Sequence, residues 1–472
     1  MKILFFLLSL LFAAPLSAQT PIDSLRAHLE RASDVALRVS VRVDTLVRVD
    51  TVYVEKPPLV TVSVTDHGAT GDDAGDDSDA FRAALSAVPD SGGVLYIPAG
   101  TYYLTPVGHP IKAGLLVTRR NVTIRGEGSA SVVKMNPTIV QQGGFGLIYM
   151  NGSAGSTLRD FVLDGSMRDG HLSDEQSHCL ELWHSTDILV RHMRFQNCKG
   201  DGIRLLGVAQ NDKPWLNGVV IDSSTFYDNG RSGIAVQRGT RNVRIANNHF
   251  ERISDQSIDF EPTGTQGTLY PEYFTIEDNI VIHSSRPYAI TLGGNHIIFR
   301  RNRIENGSIF VYNAGVGGGE GFLIEGNTIL GSPYNRPLEI RMLLAGVRIL
   351  NNHIENREAV PSGAGTLTVT MSNGFSPREV LIQGNTLIGK GRALHMTDAE
   401  EVAVIENTMI GDGTLEAVFA TNVLLMGRPR EGLVVRQNIM KGFTAPARLA
   451  QRTNGEAWLN PIVEDNTVTP AP

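Results

Sequence analysis

Four short segments share one order of small, apolar, variable, apolar and variable residues. They are Cys179-Leu180-Glu181-Leu182-Trp183, Gly202-Ile203-Arg204-Leu205-Leu206, Gly233-Ile234-Ala235-Val236-Gln237 and Ser257-Ile258-Asp259-Phe260-Glu261. Such alternation predicts β-strands with one face in a core and the other face out. A second pattern is Asn followed by apolar residues, at Asn248, Asn279, Asn302, Asn327, Asn352, Asn385, Asn407, Asn438 and Asn466. The intervals run from 22 to 33 residues, a period that implies a solenoid; propeller blades need ~40 residues or more. Short strands between Gly, Asn and Asp turns, without long helices, predict an all-β, right-handed parallel β-helix with one coil per unit. The Asn column reads as structural, each amide pairing with that of the next coil.

The segment before the repeats has a different character. Asp66-His67-Gly68-Ala69 leads to Gly71-Asp72-Asp73 and Asp76-Asp77-Ser78-Asp79, then a short helix from Ala80 to Val88, then Gly92-Gly93-Val94-Leu95-Tyr96-Ile97-Pro98-Ala99-Gly100-Thr101-Tyr102. This combination resembles the N-terminal segment of pectate-lyase-like parallel β-helix proteins, a group that includes polygalacturonase-type hydrolases and phage tailspikes. The resemblance implies an N-terminal cap over the open end of the solenoid. We place the cap at residues 59–106 and the repeats at 107–472. The acidic cluster suits a Ca²⁺ loop by its oxygen donors; the favoured reading is helix capping by Asp77 or Ser78. No cofactor is otherwise implied.

Residues 1–18 read as a secretory signal: Lys2, an apolar run to Pro15, and Leu16-Ser17-Ala18 as the cleavage site. Residues 19–58 read as a stalk or linker. No later stretch is long and apolar enough to span a bilayer, and a net charge of −7 lacks the basic footprint of nucleic-acid binding. The expected location is therefore periplasmic, secreted or at the cell surface. Export permits a disulfide, but Cys179 and Cys198 do not occupy equivalent repeat positions, and the pair reads as two half-buried thiols.

Stacking the first strand of each coil gives one outward column of Glu181, Arg204, Ala235, Asp259, Thr291, Phe310, Glu339, Thr368 and His395. The next column holds Trp183, Leu206, Gln237, Glu261, Gly293, Tyr312, Arg341, Thr370 and Thr397. Column neighbours stand ~4.8 Å apart, and i,i+2 neighbours ~6.6 Å. Asp259 and Glu261 therefore form a carboxylate pair near the span of a glycosidase acid and base. Two coils away, Arg204 could receive a uronate carboxylate. These three are the candidate catalytic residues. Glu181, paired with Arg204, and Trp183, Gln237, Arg286, Tyr312 and Arg341 are the candidate substrate contacts. Asp201 in Gly-Asp-Gly reads as turn chemistry, and His178, His184 and His395 lack metal-ligand spacing. Extra residues at 208–218, 263–274, 313–321 and 421–432 follow the first strands and suggest the wall of a binding face.

Within the resembled family, the Asn-Thr-Asp, Gly-His-Gly and Arg-Ile-Lys motifs of the polygalacturonase-like hydrolases are missing from the coils, as is the Arg-x-x-Pro-x-x-Arg of pectate lyases. Asp259 is similar in place to the first Asp of the Asp-Pro-His-Asp/Glu motif of mannuronan C5-epimerases, with Glu261 where that motif has His. The expected activity is cleavage of an acidic polysaccharide by a lyase or glycoside hydrolase, with epimerisation ranked below these. The alternative is a non-catalytic glycan-binding or attachment protein.

Overall fold

The structure is a computed structural model. It describes residues 59–472 apart from 73–74, 109–111, 137–144, 170–174, 208–214, 262–268, 284–287, 313–318, 332–335, 342–343, 357–364, 372–375, 414, 423–429, 452–457, 460 and 470–472. The signal and stalk readings, Arg286 and most of the four insertions lie outside the described residues.

The chain winds into a right-handed parallel β-helix. Three long sheets, of 13, 15 and 14 strands among the described residues, run along it with parallel pairing. Each coil gives one strand to each sheet in turn. In one coil Ser177–Trp183 joins the first sheet, Thr186–Arg191 the second and Arg194–Gln196 the third. Inward positions are aliphatic or aromatic and stack on their own kind: Phe195, Phe226 and Phe250 lie face to face at 4.9 and 4.6 Å. Offset stacking of this kind adds to the burial of each ring.

Left-handed residues make the corners. A single such residue, for example Asn247, Asp278 or Arg301, precedes each ladder asparagine from Asn248 to Asn466. A second column runs along the leading edge of the second sheet. In register it holds Asp187, Gly218, Asn242, Tyr273, His296, Gly321, Gly346, Glu379, Glu401 and Gly432, all at positive φ. The asparagines form the expected ladder. Asn302 is typical: its backbone N–H and side-chain amide both donate to Asn327 Oδ1, at 2.9 and 3.1 Å, and the same amide also reaches Ile276 O at 2.9 Å.

At the N-terminal end, helix α1 (Ser78–Ala87) buries Phe81, Ala84 and Leu85 over the first coil. Phe81 packs edge-on against Tyr102 at 5.5 Å. The acidic cluster ties down this cap. Asp76 accepts from the Ser78 N–H at 3.0 Å, while Asp77 accepts from Thr70 and Tyr103 N–H at 2.9 and 3.2 Å. Among the described residues no three His, Cys, Asp or Glu side chains gather as metal ligands.

The cysteine reading is corrected. Cys179 and Cys198 form a disulfide with Cα atoms 5.6 Å apart. Cys179 lies in the first-sheet strand of its coil, and Cys198 follows the third-sheet strand. The winding brings both into one corner, a proximity that comparison along the stacking axis does not reveal.

Candidate functional site

The first sheet holds the register that alternation predicts. Glu181 pairs with Arg204, Arg204 with Ala235, Ala235 with Asp259, Asp259 with Thr291, and so on through Phe310, Glu339 and Thr368 to His395. Ile258 and Phe260 are wholly buried, which turns Asp259 to the other face. That face is not openly solvated, however. Asp259 is only 9% exposed, Glu181 4% and Glu339 0%.

Around Glu261 the polar groups close into a circuit. Arg204 lies 3.7 Å from Glu181 and donates to Gln237 Oε1 at 3.0 Å. Gln237 donates in turn to Glu261 Oε2 at 2.5 Å. The other oxygen of Glu261 is paired with Arg231, which also reaches Asp201 at 2.9 Å. His178 Nδ1 accepts from the Asp201 N–H at 3.0 Å and lies 3.1 Å from the Asp201 carboxylate, and His178 Nε2 lies 3.5 Å from Arg204, closing the ring of contacts. Asp201 further accepts from the Ser232 N–H at 3.1 Å. In such a network each charge compensates the desolvation of its neighbour.

Asp259 stands beside this circuit. The Thr291 hydroxyl accepts from the Phe260 N–H at 3.0 Å, so its own proton points to Asp259 Oδ1, 2.5 Å away. Burial pushes the Asp259 carboxyl up, and the Thr291 bond and the Arg231 charge offset this only in part. Burial likewise raises Glu181 against the pull of His178 and Arg204. The Tyr312 phenol is pushed up to about 12 by burial and by the Asp259 charge. Desolvation disfavours the charged form in each case.

The candidate residues divide into two groups. Arg204, Glu181, Gln237 and Glu261 belong to the circuit, with Trp183 near them, tilted against Tyr149 at 5.5 Å. Tyr312 and Arg341 belong to a second cluster. Tyr312 donates to Phe260 O at 3.0 Å and stacks on Phe310, which stacks on Tyr288. Arg341 donates to the buried Glu339 at 3.0 Å and lies over Phe310 at 5.1 Å. Arg204 was expected to serve the pocket of Asp259. It is held instead by Glu181, Gln237 and His178, and Arg231 is the cation beside Glu261.

A model of the rhamnogalacturonase A/epimerase, pectate lyase-like family matches residues 61–317, more than half of the chain. The chain belongs to this family. Among curated proteins, mannuronan C5-epimerase AlgE1 of Azotobacter vinelandii is 41% identical over 69 residues, 14% of this chain and 5% of that protein. Mannuronan C5-epimerase AlgE3 of the same organism is 25% identical over 216 residues, 39% of this chain and 11% of that protein. The chain thus matches only a small part of either relative's length. Among solved structures, the A-module of A. vinelandii mannuronan C5-epimerase AlgE4 aligns with a TM-score of 0.52 and 16% identity, covering 84% of this chain and all of that one. This likeness concerns the fold.

In this member of the family, sequence reasoning missed Asp201, Arg231, His178, Tyr149 and Thr291 as parts of the site. Asp201 was read as a turn residue, yet it is fully buried. A signal was available. Ile203 pairs with Ile234, so Gly200-Asp201 of one coil lies beside Arg231-Ser232 of the next, and opposite charges in adjacent corners mark an ion pair.

Proposed function

We propose that this protein is an exported enzyme that acts on a uronate-containing polysaccharide by removing the proton at C5 of the uronate, as in β-elimination or C5 epimerisation. The observation that carries this reading is Arg231, lodged between Asp201 and Glu261 and next to a carboxyl, Asp259, whose charged form burial disfavours. A uronate carboxylate would compete with Glu261 for Arg231. Asp259 would hydrogen-bond the same carboxylate and make the C5 proton more acidic. Glu261, released from Arg231, would be the base, and Tyr312, protonated at neutral pH, a proton donor. In elimination the C4–O bond breaks, a C4–C5 double bond forms and the leaving oxygen takes a proton. In epimerisation Glu261 keeps the abstracted proton and Tyr312 gives a different one to C5 from the opposite face, each group then exchanging with solvent. The likeness to mannuronan C5-epimerases supports uronate chemistry at C5, and the disulfide and N-terminal sequence support export.

Hydrolysis is the second reading, favoured by the strand spacing of ~6.6 Å between Asp259 and Glu261. Incubation with polymannuronate and polygalacturonate in heavy water separates the outcomes. New ultraviolet absorbance reports elimination, and deuterium at C5 without chain cleavage reports epimerisation. Reducing ends without either signal would move the assignment to hydrolysis. Binding without any reaction would leave a glycan-binding module.

A further inference from the structure

We propose that the second sheet carries a separate contact site for an acidic polysaccharide, built on Tyr273, His296 and Arg348. For the class of ligand it rests on the reading above; for its place it rests on the backbone. The column of left-handed residues along this sheet is filled mostly by Gly, Asn, Asp and Glu. Gly and Asn adopt that conformation readily, whereas a bulky aromatic does so at a cost. Rings stand there at two adjacent positions in that column, Tyr273 and His296. They stack at 4.9 Å and 12°, and Tyr273 is 51% exposed.

The next two members of the column are Gly321 and Gly346. A Cβ on Gly321 would stand 2.7 Å from His296 Nδ1, so the imidazole edge lies over that glycine. The imidazole covers Gly321, and Gly346 beyond it leaves one bare position, a shelf ~5 Å long along the stack, where the edge of a pyranose can lie beside the ring. Outward Ile298 and Leu323 give the shelf an apolar floor, and exposed Arg348 stands on the same groove of about 420 Å³. An aromatic pair, an apolar floor and a guanidinium suit a uronate: its C–H face packs on rings, and its carboxylate meets Arg348. The shelf belongs to a different sheet from Asp259 and Glu261, so it serves to retain polymer and takes no part in proton transfer.

Retardation in native gels cast with polymannuronate, polygalacturonate or a neutral glucan tests this. Tyr273→Asn fits the left-handed backbone, so its Tm is expected at or above wild type. Its affinity for the acidic polymers is expected to fall at least 5-fold, with turnover of short uronate fragments unchanged. Arg348→Gln is expected to weaken retention on the acidic gels and leave any retention on the glucan as it was. Unchanged retention in both variants overturns the proposal. If polymers are turned over and retention does not need Tyr273, this site falls and the enzymatic reading stands. If retention needs Tyr273 and nothing is turned over, the site stands and the enzymatic reading falls.

Discussion

The asparagine ladder and the outward face of the first sheet have the same geometry and opposite content. Both stack one side chain per coil along the solenoid. In the ladder every coil from Asn248 to Asn466 repeats the same residue, and each amide is satisfied by the next. On the first sheet almost every coil differs: Glu181, Arg204, Ala235, Asp259, Thr291, Phe310, Glu339. Repetition solves a problem that every coil shares, the burial of corner amides. Departure from repetition marks groups that answer to something other than the fold. If so, damage to the ladder should cost stability and spare chemistry, while damage to the face should do the reverse.

The largest effect is expected at Asp259. Replacing it with Asn puts a weakly acidic amide N–H where the carboxyl would meet the uronate carboxylate, and loss of one such stabilising donor typically costs about 10²–10³-fold in rate. Turnover of the uronate polymer should fall by about that factor, measured by product formation at fixed enzyme. Stability should not fall. A carboxyl whose pKa is raised on folding is a burden above that raised value, and Asn at this place carries no charge. A lower Tm with intact turnover would reverse the contrast drawn here.

Arg231→Met comes next, because it tests where the comparison is least clean. This residue joins the site but also neutralises the wholly buried Asp201. Removing one partner of a buried pair costs about 3–5 kcal/mol, to be read from urea unfolding. Adding Asp201→Asn should recover part of that loss, since the stranded charge is then gone. If the single variant unfolds at wild-type urea, the circuit is held by solvent rather than by its own charges.

Asn302→Leu breaks the ladder in mid-run. It leaves the backbone N–H of Asn279 without its acceptor, Asn302 Oδ1, while the Asn279 side-chain amide keeps Ile245 O and Glu277 O. One buried unsatisfied N–H corresponds to about 1–3 kcal/mol. Turnover per folded molecule should stay at the wild-type level.

The same contrast explains what could be read from sequence. Alternation in Ile258-Asp259-Phe260 fixes which way each side chain faces, so the first-sheet columns were legible residue by residue. Identical asparagines at a steady interval made the ladder legible. Corners carry no such period. Asp201 and Arg231 join the site from corners, and Cys179 and Cys198 meet across one, so spacing along the stack gave no warning of either. Burial was also hidden. Strand pattern shows that Asp259 faces outward but not that its surroundings leave it only 9% exposed.

The smallest effect separates the two regions by pH. On the second sheet, burial pushes the Glu277 carboxyl up, but hydrogen bonds and charge from Arg300, Arg244 and Arg301 outweigh it and bring it to about 2. A carboxyl depressed on folding adds stability above its unfolded value, near 4.5, and loses it as pH falls toward about 2. The full shift would correspond to about 3 kcal/mol. The three guanidinium partners are 38–49% exposed, and solvent screening reduces the expected contribution to ~1 kcal/mol. Glu277→Gln should therefore lower stability at neutral pH by about that amount and converge on wild type near pH 2. Asn302→Leu removes no titrating group, so its loss should be the same at every pH in this window. Urea unfolding at pH 7, 4.5 and 3 measures both. A pH-independent loss at Glu277, or a pH-dependent one at Asn302, would mean that the ladder and the charged surface are not energetically separate.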